Sequence, residues 1–509
     1  MNRRGFLAKS AMVALSLQGH RLFAQVAAES CVVRAPTGAL RGESVNGVRV
    51  FRGVPFAEPP IGPLRFRSPV KNAPWKGERD ATRFASAAMQ PDDPAISKSE
   101  DCLYLNVWTP ESAAAKPGAG MPVYVWIHGG GFTGGSSFAP IFDGTPFARE
   151  GIVCITVAYR LGVLGFLDME PLLGSEYAGS GNNALRDLIL ALQWVQENVA
   201  AFGGDPARVT LGGESAGAKL TDILMGVPEA QGLFQQMISE SGGAERVSSA
   251  ANAAAVAKGF GEVWGERGAS GLKTAPATDL IAAQTRFIDS WPQHFPLRAE
   301  VEGKVLPKLP VETIARGSTR GKRLLIGTNR EESALFVGPH PQHDATGADL
   351  GNVPVARFQA VYAKYKALYP EMSDERLRIR ALTAEEYWVP SVRVADAHVR
   401  GGGSAWMYRL DFAPSSGRFK SYAYHSEELG LVWDKPNRNI DNAAAEAALA
   451  TQLHQAWIAF IRGENPGAPG LPSWPQYLNG AHETMILDVQ SRVEEKPQEA
   501  ELRLWDGVL

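Results

Sequence analysis

The sequence predicts an α/β fold with a mostly parallel central sheet covered by helices on both faces, and three observations carry that expectation. Short apolar runs alternate with helical patterns over the 509 residues. The composition, 45% hydrophobic and 21% charged, supplies a large buried core. Two of the apolar runs end in glycine-rich turns, where such a sheet hands a strand over to a helix.

The strand candidates are runs 123–127, 152–158, 209–212, 236–239, 324–327 and 406–410, each short, apolar and bounded by turn residues. Helices fall between them. In 183–202, Leu185, Ile189, Leu192, Val195 and Val199 recur at helical spacing, and Gly203-Gly204 supplies the stop. A second helix follows Ser215 to about residue 226. A third, 445–462, puts Leu449, Leu453, Trp457 and Ile461 on one stripe before Gly463 and Pro466 end it. Residues 112–120 form an Ala/Gly/Pro loop, and no internal repeat occurs.

Residues 29–509 read as one folded domain behind a distinct N-terminal segment, 1–28. There Asn2-Arg3-Arg4-Gly5-Phe6-Leu7 precedes an apolar stretch, 11–17, a pattern that resembles a twin-arginine export signal, with an ordinary Sec signal or a buried N-terminal helix as the alternatives. Cleavage after Ala24 or Ala28 fits the small-residue pattern, so the mature protein is expected to be exported, periplasmic or secreted. The apolar stretch is far shorter than the ~20 residues that span a bilayer, and stable membrane insertion is not expected.

A net charge of -3, from 51 basic and 54 acidic residues mixed along the chain, leaves no basic run for a phosphate backbone and excludes nucleic acid as a partner class. Three cysteines are too few for a disulfide framework, and their odd number leaves at least one thiol free. Cys154 sits inside an apolar run and reads as a buried thiol. With neither Cys-x-x-Cys nor His-Glu-x-x-His present, no metal or cofactor is implied.

Gly213-Glu214-Ser215-Ala216-Gly217 follows a strand and opens a helix, the setting in which G-x-S-x-G makes a sharp, strained turn. The pattern alone is weak. With 53 glycines, chance would supply about a third of one match, so context carries the inference. The glycines let strand and helix pass closely and push the serine hydroxyl out at the carboxyl end of the sheet. Upstream, His128-Gly129-Gly130-Gly131-Phe132 comes directly after a strand. Three glycines there suit an oxyanion hole, because backbone N–H groups must approach a substrate oxygen unobstructed.

At this point the chain resembles the carboxylesterase type B family, which includes cholinesterases and bacterial esterases, over most of residues 33–490. Phe51-Arg52-Gly53-Val54-Pro55-Phe56-Ala57-Glu58-Pro59-Pro60 with Arg65-Phe66, then Glu100-Asp101-Cys102-Leu103-Tyr104-Leu105-Asn106-Val107-Trp108, look like its N-terminal signatures. Phe202-Gly203-Gly204-Asp205-Pro206, leading to Ser215, looks like its nucleophile region. The resemblance implies an α/β-hydrolase fold and a serine hydrolase of carboxylic esters. It also implies Glu332 as the acid of a triad, with Glu331 as local competitor; the order Ser, acid, His suits that topology. Of nine histidines, it implies His425 as base. His20 lies in the removable segment, His128 precedes the nucleophile, and His398 and His454 sit in helical patterns.

On this reading Ser215 attacks the ester carbonyl, His425 takes its proton, Glu332 orients the ring, and the N–H groups of Gly130, Gly131 and Ala216 hold the oxyanion. Phe132, Leu335 and Phe336 would line the substrate pocket by resemblance. The chain departs from the family in placing Ala88 where a cysteine usually pairs with Cys102, so that disulfide is absent. The loop 89–101 holds no Trp, and Leu335 stands at a cholinesterase aromatic position, so choline esters are expected to be poor substrates. The expected partner is a small, uncharged, short to medium carboxylic ester. A non-catalytic adhesion protein on the same fold, and a lipase or amidase using the same triad, are the alternatives.

Overall fold

A computed structural model of the chain describes residues 29–91, 95–115, 120–338, 351–437 and 441–509; the segment read as an export signal lies outside them. The chain divides into two compact units. One comprises the described residues up to Val209 together with Ala255–Asp289, the other Thr210–Ala254 with Ser290–Leu509.

The first unit begins with an antiparallel run: β1 (Glu29–Ala35), β2 (Gly38–Val45), β3 (Val48–Pro55) and β4 (Tyr104–Pro110) pair in that order. The register shifts between Phe51 and Val54, where Gly53 takes φ 66° and gives its N–H to Asn106 Oδ1 at 2.9 Å. β5 (Met121–Ile127) pairs in parallel with β6 (Val153–Val157), which pairs antiparallel with β4. Val123 through Ile127 and Val153 through Val157 are buried, as continuous apolar runs covered on both faces must be. Helix α1 (Asn183–Asn198) buries Leu185, Leu188, Ile189, Leu192 and Val195, each stabilising by about 1.5–3 kcal/mol. A 3-10 turn, Val199–Phe202, and left-handed Gly203 end it.

β7 (Gly204–Glu214) starts in the first unit and carries the chain into the second. There the pairings are parallel, as the alternation predicted. β7 pairs with β8 (Gln236–Glu240), β8 with β9 (Arg323–Asn329), β9 with β10 (Ser404–Leu410) and β10 with β11 (Thr484–Leu487). A short antiparallel strand, β12 (Arg492–Glu494), closes that edge. Helices α1 (above), α2 (Ala216–Leu224), α3 (Val389–Arg400), α4 (Glu427–Val432) and α5 (Ala443–Arg462) fall between or after the strands. The carboxyl ends of β7, β8 and β9 therefore run directly into Ser215, Ser241 and Arg330 to Glu332. This is the edge at which parallel α/β sheets place their chemistry.

All three cysteines are free; Cys102 and Cys154 are buried and Cys31 is half-buried. Ala88, standing where the resembled family has a cysteine, is buried. No helix among the described residues is long and apolar enough to cross a membrane.

Candidate active site

Ser215 sits between β7 and α2 with φ 56° and ψ -122°, outside the regions open to ordinary L-residues. A conformation of this kind costs about 1–3 kcal/mol and persists only where its surroundings enforce it. Here the Ser215 N–H donates to the Glu240 carbonyl at 2.9 Å, while its own carbonyl accepts from the Lys219 N–H at 2.9 Å. Every other residue from Val209 to Val227 is buried, and Ser215 alone is partly exposed. The turn thus presents one side chain out of an otherwise closed strand and helix. As the first residue of α2, Ala216 has an N–H with no intrahelical acceptor.

Glu332 and His425, 93 residues apart, meet: His425 Nδ1 lies 2.6 Å from Glu332 Oε2. The other carboxylate oxygen, Oε1, accepts from the Asn329 N–H at 2.6 Å and from the Ser241 hydroxyl at 2.6 Å. Backbone reinforces the pair, since the His425 N–H donates to the Glu332 carbonyl at 3.3 Å. Because an amide N–H can only donate, Oε1 is fixed as an acceptor. A carboxylate surrounded by donors in turn makes Nδ1 the protonated ring nitrogen and leaves Nε2 to receive a proton. Nε2 is buried without a hydrogen-bond partner among the described residues, and Glu214 Oε1 lies 3.2 Å from it. Glu214, the residue before Ser215, is also bonded by the Ser426 hydroxyl. The imidazole packs at a tilt against Phe336, with centroids 5.2 Å apart, and against Tyr387, with centroids 4.7 Å apart. Glu332 and His425 are both buried, so neither is the solvated group that a loop or helix start could have supplied.

Carboxyls crowd this edge. Glu214, Glu240, Glu332 and Glu428 are all buried. Burial pushes Glu214 up to about 7, and Glu428 and Glu332 add to that by like charge while His425 opposes it. Glu332 is likewise driven up by burial, against the Ser241 and Asn329 hydrogen bonds and the charge of Lys219. Burial, and then the charge of Glu332, raise Glu428, whose carboxylate accepts from the Asn329 side chain and, at 3.4 Å, from Ser241. Glu240 rises well above the usual carboxylate range through burial and then the charge of Glu428, with Trp457 Nε1 donating to it at 2.8 Å. His425 moves the other way: burial lowers it, Glu214 raises it and Lys219 lowers it further. Desolvation therefore disfavours charge on every member, and only the specific donors make an ionised Glu332 tolerable.

The glycine motif lies in the first unit, after β5. Gly130 adopts φ 116° and Gly131 φ 62°, and a Cβ on Gly130 would stand 2.1 Å from the Gly134 carbonyl oxygen, so no other residue fits there. The Gly130 carbonyl turns inward to accept from the Thr133 and Gly134 N–H groups, while among the described residues no acceptor is bonded to the N–H of Gly130 or Gly131. Phe132, also left-handed, is buried against Phe166 with centroids 4.8 Å apart. His128 is held by the Gly129 carbonyl and lowered by burial to about 4. Leu335 and Phe336 are half-buried in the turn after Glu332. Glu331 instead accepts from the Ala423 N–H and pairs with Arg330 at 2.6 Å. His398 and His454 bond Thr319 and the Val432 carbonyl respectively.

Sequence reasoning missed Ser241, Glu428, Lys219 and Tyr387. Ser241 alone carried a signal, being a serine at a strand end before two glycines; it takes φ 60° there. Glu428 and Lys219 are near His425 and Ser215 in the chain, but the partners that tie them and Tyr387 into the site are distant in sequence.

Comparison with known proteins gives one answer. The model of the carboxylesterase family matches residues 29–505. The chain is 35% identical over 491 residues to the para-nitrobenzyl esterase of Bacillus subtilis, covering 92% of this chain and 96% of that one. It is 33% identical over 466 residues to the fumonisin B1 esterase of Sphingopyxis macrogoltabida, covering 87% and 83%. A solved PNB esterase structure superposes with TM-score 0.83 at 34% identity, covering 93% of this chain and 99% of that chain. The Geobacillus stearothermophilus carboxylesterase EST55 gives 0.82 at 34% over the same shares. These are α/β-hydrolase structures with a large, mostly parallel sheet, and the resemblance read from the sequence is borne out.

Proposed function

This chain belongs to the carboxylesterase family and is a carboxylic-ester hydrolase, and from that premise we propose that it works through an acyl-enzyme on Ser215, with His425 as general base and Glu332 as its orienting acid. The observation that carries the reading is the contact of Glu332 with His425 Nδ1, which leaves Nε2 as the proton acceptor next to the residue preceding Ser215.

In the first half-reaction, Ser215 Oγ bonds to the ester carbonyl carbon as its proton passes to His425 Nε2. The carbonyl π pair moves onto oxygen, held by the N–H groups of Gly130, Gly131 and Ala216; losing one such donor costs about a hundredfold or more in rate. Collapse expels the alcohol, which takes the proton from His425. Water then repeats the sequence on the acyl-enzyme, with His425 again as base, and frees the acid and Ser215. Glu332, ionised by its three donors, stabilises the imidazolium formed in each half.

The substrates proposed are uncharged short to medium esters, with Phe132, Leu335 and Phe336 as pocket residues. Choline esters should be poor, since the loop 89–101 carries no Trp and residue 335 is a leucine. Export of the mature protein, periplasmic or secreted, through removal of residues 1–28 is proposed on the twin-arginine pattern.

The test is an ester panel on the purified protein, short against emulsified long chains and against matched amides, with Ser215→Ala and His425→Ala beside it. Short uncharged esters should be turned over fastest, and each variant should lose about 10^4-fold or more. An organophosphate should transfer its phosphoryl group to Ser215 as its leaving group departs, adding that group's mass, less one hydrogen, to the peptide containing Ser215. Full activity of Ser215→Ala, or a label elsewhere, overturns the serine mechanism.

A further inference from the structure

Lys219 has no part in the chemistry above, yet it is buried on α2, one turn beyond Ser215. Lysine is almost never fully buried unless paired, and apolar side chains often replace such pairs without loss of stability. Its ammonium donates to the Gly242 carbonyl at 3.0 Å and the Glu386 carbonyl at 3.0 Å, and lies 3.1 Å from Glu386 Oε1. Three oxygens thus surround a group with three protons. The ammonium also stands 4.7 Å from the centroid of the Tyr387 ring.

Tyr387 belongs to a π-helical turn, Ala384–Trp388, just before α3. Such turns insert an extra residue and recur at functional sites. This one is anchored by the two residues that precede the ring. Glu385 accepts from the Asn352 N–H at 2.6 Å and the Val353 N–H at 3.0 Å, and Glu386 is bonded by Arg246 as well as by Lys219. The ring so fixed meets His425 with centroids 4.7 Å apart and stacks on Phe336 at 6.3 Å and 11°.

We propose that Lys219 is a positioning residue for the proposed base: through Tyr387 it fixes the surface on which the His425 imidazole rests, and its charge biases that imidazole toward the neutral form that can accept a proton. The proposal rests on His425 acting as base. The groups facing Lys219 are Arg246, which opposes its charge, and Glu245, Asp222, Glu385 and Glu386, which favour it. Facing His425 are Glu332 on Nδ1, Glu214 on Nε2, and Lys219 beyond Tyr387. Burial brings Lys219 down to about 7, so it is charged over the acidic range where His425 would otherwise take up a proton. Glu214 pulls the histidine the opposite way, and Lys219 offsets it.

The experiment compares pH profiles of kcat/KM for hydrolysis of p-nitrophenyl acetate by the full chain and by Lys219→Met, Lys219→Gln, Lys219→Arg and Tyr387→Leu. A unit charge ~10 Å away at an effective dielectric of ~20–40 shifts a neighbour by roughly 0.6–1.2 pH units. Lys219→Met and Lys219→Gln should move the acid limb upward by that amount. Lys219→Arg should restore the wild-type midpoint whatever it does to the plateau. Tyr387→Leu should lower plateau kcat, with Lys219→Met adding little to that loss in the double variant. A partly misfolded preparation scales the whole profile without moving its midpoint. Superimposable acid limbs for wild type, Met and Gln variants overturn the proposal. Activity surviving in Ser215→Ala and His425→Ala would overturn instead the serine mechanism beneath it.

Discussion

Replacing Glu332 by glutamine tests the site at the contact that orients His425, and the surrounding hydrogen bonds dictate how the amide must sit. The Asn329 N–H points at Oε1 and can only donate, so the amide oxygen must take that place, also accepting from Ser241. The NH2 group then falls at Oε2, 2.6 Å from His425 Nδ1. Facing a donor, Nδ1 must become the acceptor, and the ring proton moves to Nε2, the nitrogen that has to receive the proton of Ser215. The same substitution also removes the charge that stabilises the imidazolium. A tautomer error of this type costs a serine hydrolase about 10^4-fold in rate, or ~5.4 kcal/mol at 1.36 kcal/mol per tenfold. The assay is kcat/KM on p-nitrophenyl acetate at pH 8, with Glu331→Gln as control. Glu331 bonds Ala423 and Arg330 instead, so its variant should stay within about threefold of wild type. A loss of less than tenfold for Glu332→Gln, or equal losses for both, would refute the assignment of the acid.

Three further outcomes follow from the same geometry. Ser241→Ala removes a 2.6 Å bond to the Glu332 carboxylate and should lower kcat/KM about 10–100-fold, the equivalent of ~1.5–3 kcal/mol; unchanged kinetics would relegate Ser241 to packing. Since burial lowers His425, the acid limb of kcat/KM should have its midpoint below the ordinary histidine value of 6.5, and a midpoint at 7 or above would contradict the environment described. Glu214→Gln imitates the protonated acid of a group that burial holds at about 7, so its effect on kcat/KM should be larger at pH 8 than at pH 6; the reverse order would refute that titration.

What the sequence could reveal divides along physical lines. The six runs read as strands are strands, because a strand buried on both faces must be continuously apolar; 236–239 became Gln236–Glu240 and 406–410 became Ser404–Leu410. The antiparallel strands at the N-terminus escaped notice, since half-exposed strands such as Glu29–Ala35 mix polar and apolar residues without a clean period. Candidate residues in strand-end turns were legible because their chemistry is local: Ser215 needs its glycines, and Glu332 follows a strand directly. Lys219 was not legible, because helical spacing says nothing of a partner 167 residues away at Glu386. Tyr387 depends on a π-helical turn, for which the pattern of apolar residues offers no signal.

The crowding of carboxyls around one histidine has a thermodynamic consequence that opposes the kinetic one, and Glu428 exposes it. Its pKa is raised in the folded chain by burial and by Glu332, so between 4.5 and the raised value the native form keeps a proton that the unfolded form has lost. Stability from such a group is fully present below 4.5 and declines as pH climbs through the window, by up to ~1.4 kcal/mol per pH unit. Activity through His425 instead rises with pH, so the edge of the sheet becomes most competent as it becomes least stable. Glutamine at 428 can preserve the local bonds: its oxygen accepts from Asn329 Nδ2, and its NH2 group faces the Ser241 oxygen, which can accept while still donating to Glu332. Glu428→Gln should therefore be more stable than wild type in urea titrations, by a margin that is small at pH 5 and grows toward pH 9. Parallel stability curves would mean that Glu428 ionises in the folded chain as readily as in the unfolded one. The raised carboxyls would then lose their standing as the reason an ionised Glu332 needs three donors.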